Sequence, residues 1–304
     1  MIRFTVGNRQ NLFRSGLFSL EVIFSEQASM RTMGKLTLFL LLLFFSACEE
    51  LPPVPQRPET TSSSKAAPAE FDEETRPSMD SDSGVYQYAT YRDMPYRILI
   101  PRDYDSTKVY PLHLFLHGIG ERGTDNEKQL TVGAARFQAD SVREKYPAFI
   151  IFPQCPMSSY WFSNDIMQTL GALIDTLVNR YLIDRDNISI GGFSMGAYGT
   201  FAMVAEHPGL FEAAVAIAGD GDADRASDMA KPRWQLFAGR KDEIVASNKT
   251  ERMARALADA GALVAFKLYP EADHGTTLFN AFSEPGFFYS LFSERDNGGD
   301  GPFN

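Results

Sequence analysis

The chain has 304 residues, 44% of them hydrophobic and 22% charged, with 23 Gly, 17 Pro and two Cys. This is the usage of an ordinary globular domain, and it excludes collagen-like, coiled-coil, disulfide-stapled and wholly disordered chains. With 39 acidic against 29 basic residues the net charge is −10, which argues against nucleic acid as a partner, because phosphate backbones are bound through clustered Lys and Arg.

The first feature in chain order is the apolar run LTLFLLLLFF at 36–45, flanked by Arg31 and Lys35 and followed by Ser46, Ala47 and Cys48. A membrane-spanning helix needs roughly 20 apolar residues, so this run reads instead as the core of a signal peptide. Residues 45–48 resemble the lipobox of bacterial lipoproteins. That resemblance implies cleavage before Cys48, a lipid on its sulfur, and a protein anchored to a membrane of the bacterial cell envelope, periplasmic or surface-exposed. The alternative is a secretory signal that ends near a free cysteine. A signal of ordinary length starts at Met30 or Met33, so 1–32 reads as an over-long N-terminus and 33–47 as the signal. Without residues 1–47 the chain carries 24 basic and 37 acidic residues, near −13.

Residues 48–84 are rich in Pro, Ser, Thr and acids and read as a disordered tether, since they lack the apolar surface that offsets ordering entropy. Beyond Gly84 short β-rich runs alternate with helical patterns. Strands are expected at 86–91, 96–101, 112–117, 148–153, 188–193, 213–218, 233–238 and 263–269. The first two are close enough for a hairpin across 92–95; the later ones are separated by helix-length intervals, with helical periodicity clearest at 165–181, 196–206 and 248–260. The expectation is a single α/β domain over 85–293, with an eight-stranded, mostly parallel sheet and helices on both faces. Residues 294–304 read as a flexible tail.

The strand at 188–193 runs into Gly192-Phe193-Ser194-Met195-Gly196 and then a helix. This is the G-x-S-x-G spacing of a nucleophile elbow, in which a serine sits on a strained strand-to-helix turn and its neighbours must be small. The helix that follows aims its first amides and the positive end of its dipole at the reaction centre. Of the four histidines, His113 falls mid-strand, His207 stands before Pro208-Gly209 at a helix end, and His117 precedes a glycine turn. That leaves His274, in a polar loop after the last strand, as the general base for Ser194. An orienting carboxylate precedes the histidine in this chain order, and Asp242 after the seventh strand is nominated, with Glu243 as its nearest rival and Asp220 and Asp222 more distant. Asp273 reads as a solvated neighbour of the histidine. The oxyanion hole is assigned to the amide of Met195 and to that of Ile119 in the glycine-rich stretch 117–123, with Gly118 as fallback and His117 bracing the loop.

The segments HGIGERGTDN, PQCP with Trp161, GGFSMGAYGT, AGRKDE and EADHG together resemble the α/β-hydrolase superfamily over roughly 85–292. The likeness is greatest to the lid-free esterases grouped with polyhydroxybutyrate depolymerases, feruloyl esterases and secreted predicted peptidases. Dienelactone hydrolases share the fold but resemble the chain less, having cysteine as nucleophile where this chain has Ser194. The resemblance implies a domain without a large lid and a substrate-binding role for Trp161 and its neighbour Tyr160, although packing beneath a loop accounts equally well for Trp161. Glu121, Arg122 and Asp125 are expected to hold the oxyanion loop, and Cys155 reads as an unpaired, half-buried thiol. No metal-ligand spacing occurs, and no metal or organic cofactor is implied. The function expected is hydrolysis of a carboxylic ester, such as a polysaccharide-linked or small acyl ester, through an acyl-enzyme. The alternatives are a serine peptidase of the same fold and a non-catalytic surface-binding protein on a hydrolase scaffold.

Overall fold

The computed structural model describes residues 2–3 and 85–292. The signal, the lipobox with Cys48, the tether and the tail lie outside the described residues. Among the described residues nine strands form one sheet: β1 (Ile2–Arg3), β2 (Gln87–Tyr91), β3 (Met94–Leu99), β4 (Tyr110–Leu116), β5 (Phe149–Pro153), β6 (Ile183–Phe193), β7 (Ala213–Ile217), β8 (Arg233–Gly239) and β9 (Val264–Tyr269). Their order across the sheet is β1-β9-β8-β7-β6-β4-β5-β3-β2. The six strands from β5 to β9 in this order are parallel; β3 and the two-residue β1 run against them, and the edge strand β2 pairs antiparallel with β3.

Strands β2 to β9 are the eight read from the sequence. The hairpin turn between β2 and β3 is tighter than 92–95: Tyr91 pairs with Met94, and Arg92 takes a positive φ of 50° to close the two-residue turn. The central strands are buried on both faces, as the unbroken runs AAVAI in β7 and RWQLFAG in β8 require of a parallel sheet covered on both sides.

Helices α3 (Asn164–Arg180), α4 (Met195–Glu206) and α5 (Ser247–Asp259) match the three periodic segments within a residue. Four shorter helices were not read from the sequence: α1 (Ala134–Gln138), α2 (Asp140–Lys145), α6 (His274–Phe282) and α7 (Phe287–Phe292). Helices α1, α6 and α7 cover the sheet face that bears Phe115, Phe152 and Phe237, in a core rich in aromatic rings that includes Phe137, Phe282 and Phe287. The opposite face meets α4, where Phe201 stacks on Trp234 with ring centroids 5.0 Å apart. Every residue of α4 except Glu206 is buried, so the helix carrying the serine turn is held all round. The loops at the C-terminal ends of β4, β5, β6, β8 and β9 therefore converge on one edge of a rigid sheet.

Candidate active site

Ser194 is the single residue between β6 and α4, with φ 54° and ψ −121°. A non-glycine residue holds such a conformation only when its surroundings over-determine it. Here the Ser194 amide donates to the carbonyl of Ile217 at the end of β7 (2.9 Å), and the Ser194 carbonyl accepts from the amides of Ala197 (2.8 Å) and Tyr198 (3.2 Å). The flanking glycines are obligatory for space. A Cβ on Gly192 would lie 2.3 Å from the Gly196 carbonyl, and one on Gly196 would lie 1.9 Å from the carbonyl oxygen of Leu116. The elbow is thus pressed against the end of β4, where the glycine-rich loop begins.

His274 and Asp242 meet at the same sheet edge. His274 Nδ1 lies 2.7 Å from Asp242 Oδ2, and the Asp242 side chain is wholly shielded from solvent. The second carboxylate oxygen, Oδ1, accepts from the amides of Ile244 (2.9 Å) and Val245 (2.8 Å), so the carboxylate is fixed in orientation. Glu243, the nearest rival, points to solvent.

His274 does not sit in a loop, as the sequence reading had it, but is the first residue of α6. Asp273 caps that helix: its carboxylate accepts from the Thr276 amide (2.8 Å) while Thr276 Oγ1 accepts from the Asp273 amide (2.8 Å). The reciprocal pair gives the exposed Asp273 a capping role that the sequence reading had not assigned it, and fixes where the imidazole starts. On its other side the His274 ring packs against Phe193, the residue before the serine, with centroids 4.7 Å apart. Among the described residues no hydrogen bond joins Ser194 to His274, so the structure brings His274 to Asp242 and, through Phe193, beside the serine.

The loop after β4 lies next to the elbow, since a Cβ on Gly118 would be 3.7 Å from Ser194 Cβ. His117 is buried and both its nitrogens are engaged. Nε2 accepts from the Cys155 amide (3.0 Å), which makes Nδ1 the protonated nitrogen, and Nδ1 donates to the Gly118 carbonyl (2.6 Å). Burial holds its pKa down to about 4, so it is neutral and has no free lone pair to take a proton from serine. The Gly118 amide faces the carboxylate of Glu121, whose own pKa is raised by burial. Met195 opens α4, where first-turn amides lack intrahelical acceptors. The Glu121 carboxylate thus takes up the Gly118 amide, the fallback of the sequence reading.

Trp161 is wholly buried. Its indole Nε1 donates to the His117 carbonyl (2.9 Å), and its Cβ presses on α4 at Gly199, where an added Cβ would lie 2.3 Å away. It packs beneath the loop and braces it, which corrects the expectation that it lines the pocket. Tyr160 is half-buried, stacked on Phe162 at 5.3 Å with Arg122 5.0 Å from its ring centre. Cys155 is fully rather than half buried, and burial pushes its thiol up to about 12, so it is inert as a nucleophile. His113 hydrogen-bonds Ser189 within the sheet (2.9 Å) and stacks on Phe137, and His207 caps the end of α4. Among the described residues no group of three or more His, Cys, Asp or Glu side chains could hold a metal.

Three contributors went unread in the sequence. Gln154 ties the loop after β4 to the end of β5 by accepting from the Asn126 amide (2.7 Å) and donating to the Glu121 carbonyl and Asp125 Oδ1 (both 3.1 Å). Asn126, at φ 56°, anchors the loop's far end through bonds to the carbonyls of Ala89 and Tyr96 (both 3.2 Å). Phe193 supplies the ring beneath His274. Only Gln154 left a signal, in its place beside Cys155 at the end of a strand.

Residues 156–285, somewhat under half the chain, match the sequence model of the dienelactone hydrolase family. The span holds Ser194, Asp242 and His274, so the family set further off by its cysteine nucleophile is the one whose pattern the chain matches. The structure is similar to that of a thermostable esterase, at 29% identity and a TM-score of 0.65, over 68% of this chain and 62% of that one. It is similar also to an acylaminoacyl peptidase of Pyrococcus horikoshii (14% identity, TM-score 0.54, 71% of this chain and 43% of that one) and to a ferulic acid esterase of Anaeromyces mucronatus (15%, 0.54, 76% and 98%). The chain thus spans about three fifths of that esterase and under half of that peptidase, and at these identities the last two likenesses concern the fold alone. No curated protein sequence matches.

Proposed function

We propose that this chain, an α/β-hydrolase by fold, is a serine esterase in which Ser194, His274 and Asp242 act as a catalytic triad and the amides of Met195 and Ile119 as the oxyanion hole. The observation that carries the reading is the 2.7 Å bond from His274 to a fully shielded, doubly anchored Asp242 at the sheet edge where a strained serine stands. Asp242 accepts a hydrogen bond from Nδ1–H, which fixes the tautomer whose Nε2 lone pair is free to take the serine proton as Oγ attacks the ester carbonyl. The Ser–His hydrogen bond closes as substrate enters, as in other hydrolases whose catalytic bonds tighten only in the bound state. The Met195 and Ile119 amides receive the charge on the tetrahedral oxygen. The imidazolium then protonates the leaving alcohol, and water repeats the sequence to release the acid. Similarity to a thermostable esterase favours esters over amides. Tyr160, at the rim of the same edge, is the aromatic surface offered to the substrate. We also propose that Cys48 carries a lipid anchor, checked by the mass of the membrane-extracted protein before and after alkaline deacylation.

The full chain is assayed on p-nitrophenyl acyl esters, methyl ferulate, acetylated xylan and peptide amides beside Ser194→Ala. Turnover of at least one ester class is expected, with about a thousandfold loss or more in the variant. Equal inertness of both proteins on every ester refutes the reading, and fastest cleavage of amides replaces it with a peptidase.

A further inference from the structure

Arg122 follows the 3-10 turn Ile119–Glu121 and has no place in the proton relay above. Its guanidinium nonetheless gathers the parts of the site that must keep their spacing. Nε donates to the carbonyl of Ile119 (3.3 Å), Nη1 donates to the carbonyls of Met157 (3.0 Å) and Ser159 (3.2 Å), and the fork lies 5.0 Å from the ring centre of Tyr160. One rigid group therefore spans the loops that follow β4 and β5.

The consequence for Ile119 follows from peptide planarity. The plane between Gly118 and Ile119 carries the Gly118 carbonyl on one side and the Ile119 amide on the other. His117 Nδ1 holds that carbonyl, so the amide points the opposite way. The next plane, between Ile119 and Gly120, is held through the Ile119 carbonyl by Arg122. The residue is pinned from both sides, and both pins lead to the loop after β5: His117 through the Cys155 amide, Arg122 through Met157 and Ser159. The His117 pin is buried, whereas the Arg122 pin lies at the rim and shares its cation with Tyr160.

We propose that Arg122 is a positioning residue that couples the Ile119 amide to the pocket wall at Tyr160, so that the oxyanion donor and the substrate-facing surface move as one unit. The proposal rests on the esterase reading. Lysine cannot replace arginine here, because a single ammonium nitrogen cannot reproduce bonds that arise from two separate guanidinium nitrogens, Nε and Nη1, and offers no plane to stack on the ring.

The test uses the full chain with Arg122→Ala and Arg122→Lys, and reads three quantities: kcat and KM on p-nitrophenyl acetate, the rate at which a fluorophosphonate labels Ser194, and the thermal midpoint. Removing an oxyanion donor outright costs about 100- to 1,000-fold. Loosening it should lower kcat and the labelling rate about 10- to 100-fold in both variants, with KM for this small ester within about threefold and the thermal midpoint little changed. Added guanidinium ion should restore part of the loss in Arg122→Ala. Labelling and kcat within twofold of wild type overturn the proposal while leaving the esterase reading intact. Full restoration by lysine, or a loss of rate that only parallels a loss of folded protein, overturns it likewise. A wild-type chain that takes up no probe and cleaves no ester overturns the esterase reading itself, and this proposal with it.

Discussion

Asp242 divides its two oxygens between separate tasks: Oδ1 accepts the amides of Ile244 and Val245, and Oδ2 faces His274 Nδ1. In Asp242→Asn only one oxygen remains, and two fixed amides outbid one ring for it. The new NH2 then confronts Nδ1 and drives the imidazole to the tautomer protonated on Nε2, which cannot accept a proton from Ser194. A drop in kcat of about 10³- to 10⁴-fold is expected, with KM and thermal midpoint little altered, since the shape is unchanged. Steady-state kinetics on p-nitrophenyl acetate check it, and a loss under tenfold refutes this assignment of Asp242. At this scale chain order narrowed the carboxylate to a few acids before His274 but could not separate neighbours; it is the structure that places Asp242, and not the exposed Glu243, against His274. It was not readable for Trp161, because an aromatic after a strand says nothing of which way the ring faces, and here it turned inward to the His117 carbonyl.

The serine turn works only because two neighbouring elements are allowed to touch it. A methyl on Gly196 would meet the Leu116 carbonyl oxygen at 1.9 Å and the His117 carbonyl oxygen at 2.8 Å, both backbone atoms that cannot step aside. Gly196→Ala should cost roughly 3 kcal/mol or more and abolish activity in whatever fraction folds. Gly120, in the facing turn, has no atom within 4 Å of an added Cβ, so Gly120→Ala should stay within about 0.5 kcal/mol of wild type. Urea unfolding of the pair checks the contrast; equal midpoints would mean that the close approach is not real. The strands and the three long helices were legible because period and length agreed over many residues. The short helices were not. Helices α1 and α2 span five and six residues, too few for a period to register. The FFYSLF of α7 reads as an apolar run of either kind. In α6 a glycine and two threonines depress helix propensity, and the cap formed by Asp273 and Thr276 was the one local sign that His274 begins a helix.

The whole domain carries a pH dependence that follows from where its histidines lie. His113 is enclosed between the sheet and Phe137, and His117 lies under the glycine-rich loop after β4; burial lowers them to about 3 and about 4, against about 6.5 in an unfolded chain. Burial shifts His207 in the same direction. Each is therefore neutral in the folded state at a pH where the unfolded chain has already bound a proton. The unfolded state holds more protons below pH 6.5, so stability is full above that value and declines as the pH falls toward 4. One proton per group corresponds to about 1.4 kcal/mol per pH unit, so His113 and His117 together set a limiting slope of about 2.7 kcal/mol per unit between pH 6 and 4.5. The anchored carboxylates act lower: Asp125 and Asp273 are depressed by hydrogen bonds from loop and cap groups, so their contribution is full above the ordinary carboxylate pKa and is lost as the pH falls from there through their lowered values. Urea denaturation at half-unit steps from pH 7.5 to 4.5 should show the stability level above 6.5 and falling below it. His113→Gln, which keeps a polar partner for Ser189 and does not titrate, should remove about half of that slope whatever its effect at neutral pH. An unaltered slope in the variant would mean that His113 titrates alike in both states and that acid unfolding has another origin.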